Sequence, residues 1–398
     1  MDVEEARTIG RRLRQIRKSR DKSLVVIAGL AGMSKSQLDR IERGEVALDK
    51  LSEIVALANA LQIAPSDLMR LPVPAPANGH TDSATEAVRL ALDAIDADGL
   101  DGLVLPVEVL RDQVTRIHAQ RRACQFAEVA TELPALIRNL HTTLATGADR
   151  DELLDLAVYL HVHVTRLWLY RVAAPTDLVR RTAFLAQRLA QQRDEVSTLG
   201  MAGFAMVDTL LGGGAFKLGR AVLDSLTVPP VTADTAGLVC QLTMCHAQAA
   251  VLGGRPGEVA APMDAAAELA ERFGATGDDS LGCDNSPAEV GGRRVWLALE
   301  AGEPDQAASI ARDVHPEQHP FPSGRAHYWM HYGRALARLR GRRDDAVRAL
   351  RTAEDIFPIK VRRDPLVRDV IAALLPGARR DAIGMELRGM AHRAGLPV

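Results

Sequence analysis

Along the first stretch of chain, apolar side chains recur every three to four positions in short bursts, each closed by a turn residue. In IGRRLRQIRKSRDKS, Ile9, Leu13 and Ile16 fall at helical spacing while the positions between are mostly Arg and Lys. That pattern predicts a helix with one buried stripe and a basic exterior. Ser23 stands as an N-cap before SLVVIAGLAG, where Ile27, Ala28 and Ala31 form the apolar side of a second short helix closed by Gly32. The chain must then turn sharply, which Gly32 permits. Met33 can plug the core, and Ser34 caps a third helix from Lys35 to about Arg43, ended by Gly44. Two further periodic runs, DKLSEIVALANALQI and APSDLMRL, supply Leu51, Ile54, Leu57, Leu61 and Leu68 to a common core. The prediction is five short helices in roughly seventy residues.

Residues 72–87 (PVPAPANGHTDSATEA) show no apolar period and are rich in Pro, Ala, Asn, Gly and Ser. They read as a linker on which a head of residues 1–71 can reorient. From 88 to 398 nearly every segment has helical rather than alternating periodicity, broken by short turns such as RPGE, AGEPD and RGRRDD, and no convincing strand is found. The expected fold is all-α, a five-helix head on a helical solenoid. The clearest unit runs from Trp329 to Pro358, with Trp329, Tyr332, Gly333 and Leu336 before the turn and Ala346, Leu350 and Ala353 after it. Apart from one extra residue in the turn, this follows the tetratricopeptide pattern of large residues on one helix accepting small ones from the next. The turn glycines 213, 253, 302 and 341 lie 40, 49 and 39 residues apart, wider than the usual ~34. The repeats are therefore long or degenerate.

Charge separates the two parts. From Arg7 to Arg43 there are eleven Lys or Arg against three acidic residues, whereas the rest of the 398-residue chain has 38 against 48. A basic head on an acidic body suits a polyanion partner. No Phe, Trp or Tyr precedes Phe126, so the head lacks the stacking platforms of single-strand binders, and double-stranded DNA is the expected partner. No stretch has the length and purity of a membrane span and no signal-peptide pattern is present, which points to the cytoplasm and to no membrane partner. Cys124, Cys240, Cys245 and Cys283 are expected as reduced thiols. Cys240, Cys245 and His246 cluster, but an i, i+5 pair diverges on a helix, so no metal and no cofactor are expected. Catalysis is disfavoured as well. LLGGGAFKLGR lacks the strand and spacing of a phosphate loop, no nucleophile elbow or His-Glu-x-x-His occurs, and the acids of GDDSLGCDNS have the wrong spacing for a cation loop.

The stretch SLVVIAGLAGMSKSQLDRIERG, with Ala28 and Gly32 at the helix contact and turn and Leu38 and Ile41 on the buried side, resembles the XRE (lambda-repressor/Cro-like) helix-turn-helix domain over about residues 6–71. The resemblance implies that the third helix enters the major groove, with Lys35, Ser36, Gln37 and Arg40 as readers. Ser23, Arg12 and Arg43 join them as DNA-contacting candidates, the two Arg through phosphates unless local packing claims them. It also implies an ion pair between Arg17 and Glu42. The family often has Gln at the first position of the second helix; Leu24 stands there, so one phosphate contact is expected to be missing.

The whole chain resembles XRE regulators with tetratricopeptide-like bodies, the RRNPP type and those of actinobacteria. This implies a homodimer on a pseudo-palindromic operator and a body that takes a small-molecule or peptide effector. Peptide-binding members commonly grip the peptide with Asn, and beyond the linker this chain has only Asn139 and Asn285. Within ELLDLAVYLHVHVTRLWLYR, Tyr159, His163, Arg166 and Tyr170 fall at i, i+4, i+7 and i+11. Such a stripe can hold an anionic or carboxyl-bearing effector with Arg166 as bidentate donor, or can be the solvated side of a packed helix. The alternative function is a scaffold that recruits a partner protein through the solenoid groove.

Overall fold

The computed structural model describes residues 8–69, 75–274 and 281–398, and every regular element among them is helical. The head consists of α1 (Ile9–Ser19), α2 (Leu24–Leu30), α3 (Lys35–Glu42), α4 (Leu51–Leu61) and α5 (Pro65–Met69). Each of the first three begins on a hydroxyl cap: Thr8, Ser23 and Ser34 accept from the amides of Arg11, Val26 and Gln37 at 3.1–3.2 Å. Ile9, Leu13, Ile27, Leu38, Ile41 and Ile54 close the core without exposure above one per cent. The tightest crossing is α1 on α3, where a Cβ on Gly10 would lie 1.9 Å from the Ile41 carbonyl oxygen. Gly32 and Gly44 turn the chain at φ +69° and +72°, a region that costs L side chains strain.

The body opens with α6 (Gly79–Asp96), α7 (Val107–Arg122) and α8 (Phe126–Ala145). A long rod follows, made of α9 (Arg150–Tyr159), a π-helical turn (Leu160–Thr165) and α10 (Arg166–Arg171), backed by α11 (Thr176–Arg193). Four helical hairpins come next: α12 (Val196–Gly212) with α13 (Phe216–Ser225), α14 (Ala236–Leu252) with α15 (Ala260–Phe273), α16 (Pro287–Ala301) with α17 (Pro304–Asp313), and α18 (Pro322–Arg338) with α19 (Arg343–Ile356). The first helices of successive hairpins stack on one another, α12 on α14 on α16 on α18, as a solenoid requires. The chain ends in α20 (Pro358–Arg363), α21 (Pro365–Leu374) and α22 (Ala382–Arg393).

The solenoid closes on itself. Arg363 of α20 donates to the Val172 carbonyl at 3.0 Å and to Asp82 of α6 at 2.5 Å, the Phe126 and Phe357 rings lie 4.7 Å apart, and Lys360 sits 4.2 Å over the Tyr170 ring.

Two expectations need correction. The linker does not extend to 87, because α6 starts at Gly79 on an Asn78 cap and buries Thr81, Ala84 and Val88 as a stripe. Small and hydroxylated residues carry that stripe, so composition disguised it. The expected boundary at 71–72 lies outside the described residues. Nor is the head free to reorient: Ile9, Leu48, Leu57 and Leu68 belong to the same apolar cluster as Val347, Val367, Ile371 and Leu387 of the last helices.

Candidate functional site

The outward face of α3 is open. Lys35, Ser36, Gln37 and Arg40 are all exposed, while Leu38, Ile41 and Glu42 on the opposite side are buried. Gln37 is steadied by Glu53 of α4, its side-chain amide donating at 3.3 Å, and the Ser36 hydroxyl lies 3.1 Å from that of Ser34. Arg40 and Arg43 make exposed pairs with Glu45 and Asp39 at 3.2–3.8 Å. Pairs of that kind are worth little and release readily to a phosphate. Arg12 differs. Its Nε donates to the Asp67 carbonyl at 2.6 Å, which ties α1 to the end of α5 and gives this Arg a packing role. Ser23, also exposed, has its hydroxyl engaged as the α2 cap.

Beneath this face Arg17 and Glu42 meet in a two-bond fork. Nε and Nη2 of Arg17 each lie 2.6 Å from a Glu42 carboxylate oxygen, and Nη1 reaches the Lys22 carbonyl at 2.7 Å. The fork joins the end of α1 to the end of α3, and so sets how α3 is presented.

Charged residues that the sequence left unremarked fasten the head to the body. Asp369 of α21, fully buried, accepts the Ile9 amide at 2.7 Å and the Leu48 amide at 2.8 Å. Glu300 of α16 accepts the Leu51 amide at 2.9 Å, which caps α4 from outside the head. Asp49, equally buried, pairs with Arg334 at 3.2 Å and with Arg338. Nothing local distinguishes these acids, since their partners lie some hundreds of residues away in sequence.

In the body the expected four-residue stripe is broken. The π-helical turn inserts an extra residue per turn, with the Thr165 hydroxyl donating to the Leu160 carbonyl at 3.3 Å, so the faces before and after it no longer align. Tyr159 and His163 remain together, their rings 4.9 Å apart, and both face His118 of α7 at 5.1 and 5.7 Å. Arg166 is buried, but it donates to Asp208 at 2.6 Å and is already neutralised. Tyr170 turns away and is 53% exposed beneath Lys360. The solvated alternative also fails, because three of the four side chains point inward.

Of the acids in GDDSLGCDNS, Asp284 lies half-buried with half-buried Glu289 beside the buried His319; Asp278 and Asp279 lie outside the described residues. His319 Nε2 is 3.1 Å from Asp284 and 3.3 Å from Glu289. The Phe321 amide donates to His319 Nδ1 at 3.1 Å. Nδ1 therefore keeps its lone pair and the ring proton sits on Nε2, aimed at the carboxylates. A ring so held offers Glu289 a hydrogen bond rather than offering a metal a lone pair. Burial and the neighbouring Glu289 push the Asp284 carboxyl up to about 6, as two acids set close together require.

Residues 8–71 match the family described as a helix-turn-helix domain. The head is a helix-turn-helix domain, with α2 and α3 as the paired helices. No curated protein matches the chain. Among solved structures the chain is similar to Bacillus thuringiensis PlcR in complex with the peptide PapR7 and DNA, at 13% identity over 91% of this chain and 99% of that one, with a TM-score of 0.29. A likeness of that score sets up no residue-by-residue correspondence. No described helix is long and apolar enough to cross a membrane.

Proposed function

We propose that this chain is a sequence-specific, duplex-DNA-binding transcriptional regulator without enzymatic activity, working as a homodimer on a pseudo-palindromic operator. The observation that carries this reading is the α3 surface: an exposed N-terminal face of Lys35, Ser36, Gln37 and Arg40 on a helix whose other side is locked by core packing and the Arg17–Glu42 fork. A recognition helix needs both a free polar edge and a rigid mounting. Lys35 and Gln37 reach base edges, Arg40 and Arg43 exchange their weak pairs for phosphates, and Ser23 brings the start of α2 to the backbone. One such helix covers only a few base pairs, so useful specificity takes two heads on half-sites about a helical turn or more apart. The body supplies the dimer contact and takes a small-molecule or peptide effector. Because the head shares a core with α18–α22, any change in the curl is felt at the α3 mounting. Sedimentation with labelled duplex tests the stoichiometry: two chains per operator is the expected result, and a single chain binding with full affinity contradicts it.

A further inference from the structure

We infer that the closed curl holds an anion site, in which Arg121 of α7 and Arg171 of α10, with His118 and His163 beside them, bind a carboxylate or phosphate group of the effector. Arg121 is only 4% exposed, yet among the described residues its side-chain hydrogen bond goes to His118 Nε2 at 3.4 Å, and its Nε has no hydrogen-bond partner. Nε and Nη1 of Arg171 are also buried without partners, as are Nδ1 of His118 and Nε2 of His163. The vacant donors and acceptors therefore come from three neighbouring elements. Arg166 nearby shows what a satisfied guanidinium looks like here, with Asp208 at 2.6 Å; among the described residues no carboxylate pairs with Arg121 or Arg171.

A guanidinium cannot shed its proton to escape burial, and an unpaired buried charge is among the costliest features a fold can carry. Burial, then the charges of Arg171 and Arg122, push the Arg121 pKa well below its usual value. Burial, then Arg121 and Arg122, hold His118 and His163 well down, so both rings stay neutral and can donate to or accept from a polar effector group. An anion between the guanidiniums relieves the repulsion and satisfies the idle donors in one step. This deepens, and rests on, the proposal that the body takes an effector, and it moves the charged contact from Arg166 to Arg121.

The test uses the full chain and three probes at matched ionic strength: sodium phosphate, sodium succinate and sodium chloride. Thermal unfolding and titration calorimetry are expected to show saturable stabilisation by phosphate or succinate and none by chloride, the stronger of the two naming the headgroup chemistry. Arg121→Met should unfold at a higher temperature than wild type without anion, since it removes an unpaired charge, and should bind the anion at least tenfold more weakly. Arg171→Met should weaken it too, and decides the matter if the first variant does not fold. Arg111→Met, at an exposed pair with Glu152, should respond like wild type. Equal response of wild type to all three salts, or an undiminished response in Arg121→Met or Arg171→Met, overturns the site. Anion binding that leaves duplex affinity unchanged would instead overturn the effector reading while the site stands.

Discussion

Asp369 holds the head to the body by two backbone amides, Ile9 at 2.7 Å and Leu48 at 2.8 Å, one on each carboxylate oxygen. Asp369→Asn preserves shape but places an NH2 against one of those amides, leaving a buried donor unsatisfied at ~1–3 kcal/mol. Asp369→Ala removes both acceptors, roughly 2–6 kcal/mol by the same reckoning. A pH dependence accompanies the loss. Burial pushes the Asp369 carboxyl up to about 7, against the pull of the two amides and Arg338. With the head undocked, the Asp369 carboxyl regains water and its ordinary pKa of about 4. The docked state thus keeps a proton that the undocked state sheds. Its contribution to docking is complete below about pH 4 and is lost as pH rises to about 7, at roughly 1.4 kcal/mol per unit. Glu300, pushed up by burial against the pull of Arg334, adds the same sign. Hydrogen exchange at the Ile9 and Leu48 amides, corrected for intrinsic rates, is the assay. Wild-type protection should fall from pH 5 to 7, and Asp369→Asn should show lower protection and a shallower slope. Equal protection in the two proteins across that range would refute the reasoning.

The other perturbations concern the head. Arg17→Ala strands a Glu42 carboxylate that is only 2% exposed, which should cost ~3–5 kcal/mol at full burial; chemical denaturation of Arg17→Ala, Glu42→Ala and the double variant should give a double-variant loss well short of the sum, and strict additivity would show that the fork carries no coupling. Gly10→Ala sets a methyl 1.9 Å from the Ile41 carbonyl oxygen, and overpacking of ~1–3 kcal/mol or more follows; exchange should accelerate throughout α1 and α3 while α14 and α16 stay protected, and an unchanged α3 would mean the crossing yields cheaply.

The head's helices were legible because their signals are local. Ser23 and Ser34 cap within three residues, and Gly32 and Gly44 adopt the left-handed turns their positions suggested. The hairpins were legible through their turns, where Gly302 and Gly341 take positive φ and Gly213 and Gly253 end α12 and α14. Two kinds of feature left no trace. The π-helical turn at Leu160–Thr165 adds a residue that nothing in LHVHVT announces, so a stripe drawn at 3.6 residues per turn aligned Tyr170 with Tyr159 and His163, whereas Tyr170 is 53% exposed beneath Lys360. The docking of the head depends on Asp369, Asp49 and Glu300, acids that look like any solvated charge until partners from the far end of the chain bury them. Arg121 shares that disguise, standing in a basic run at the end of α7.

The measurement that bears most directly on the central claim is selection from a random duplex pool, performed with wild type and Gln37→Ala side by side. Wild type should enrich a pseudo-palindrome with half-sites about a helical turn or more apart. Gln37→Ala should recover the same site with preference relaxed at one position of each half, by ~1–3 kcal/mol. Failure of wild type to enrich any sequence, or a Gln37→Ala protein that weakens on all duplexes alike with its sequence preference intact, would contradict the assignment of α3 as the reading helix.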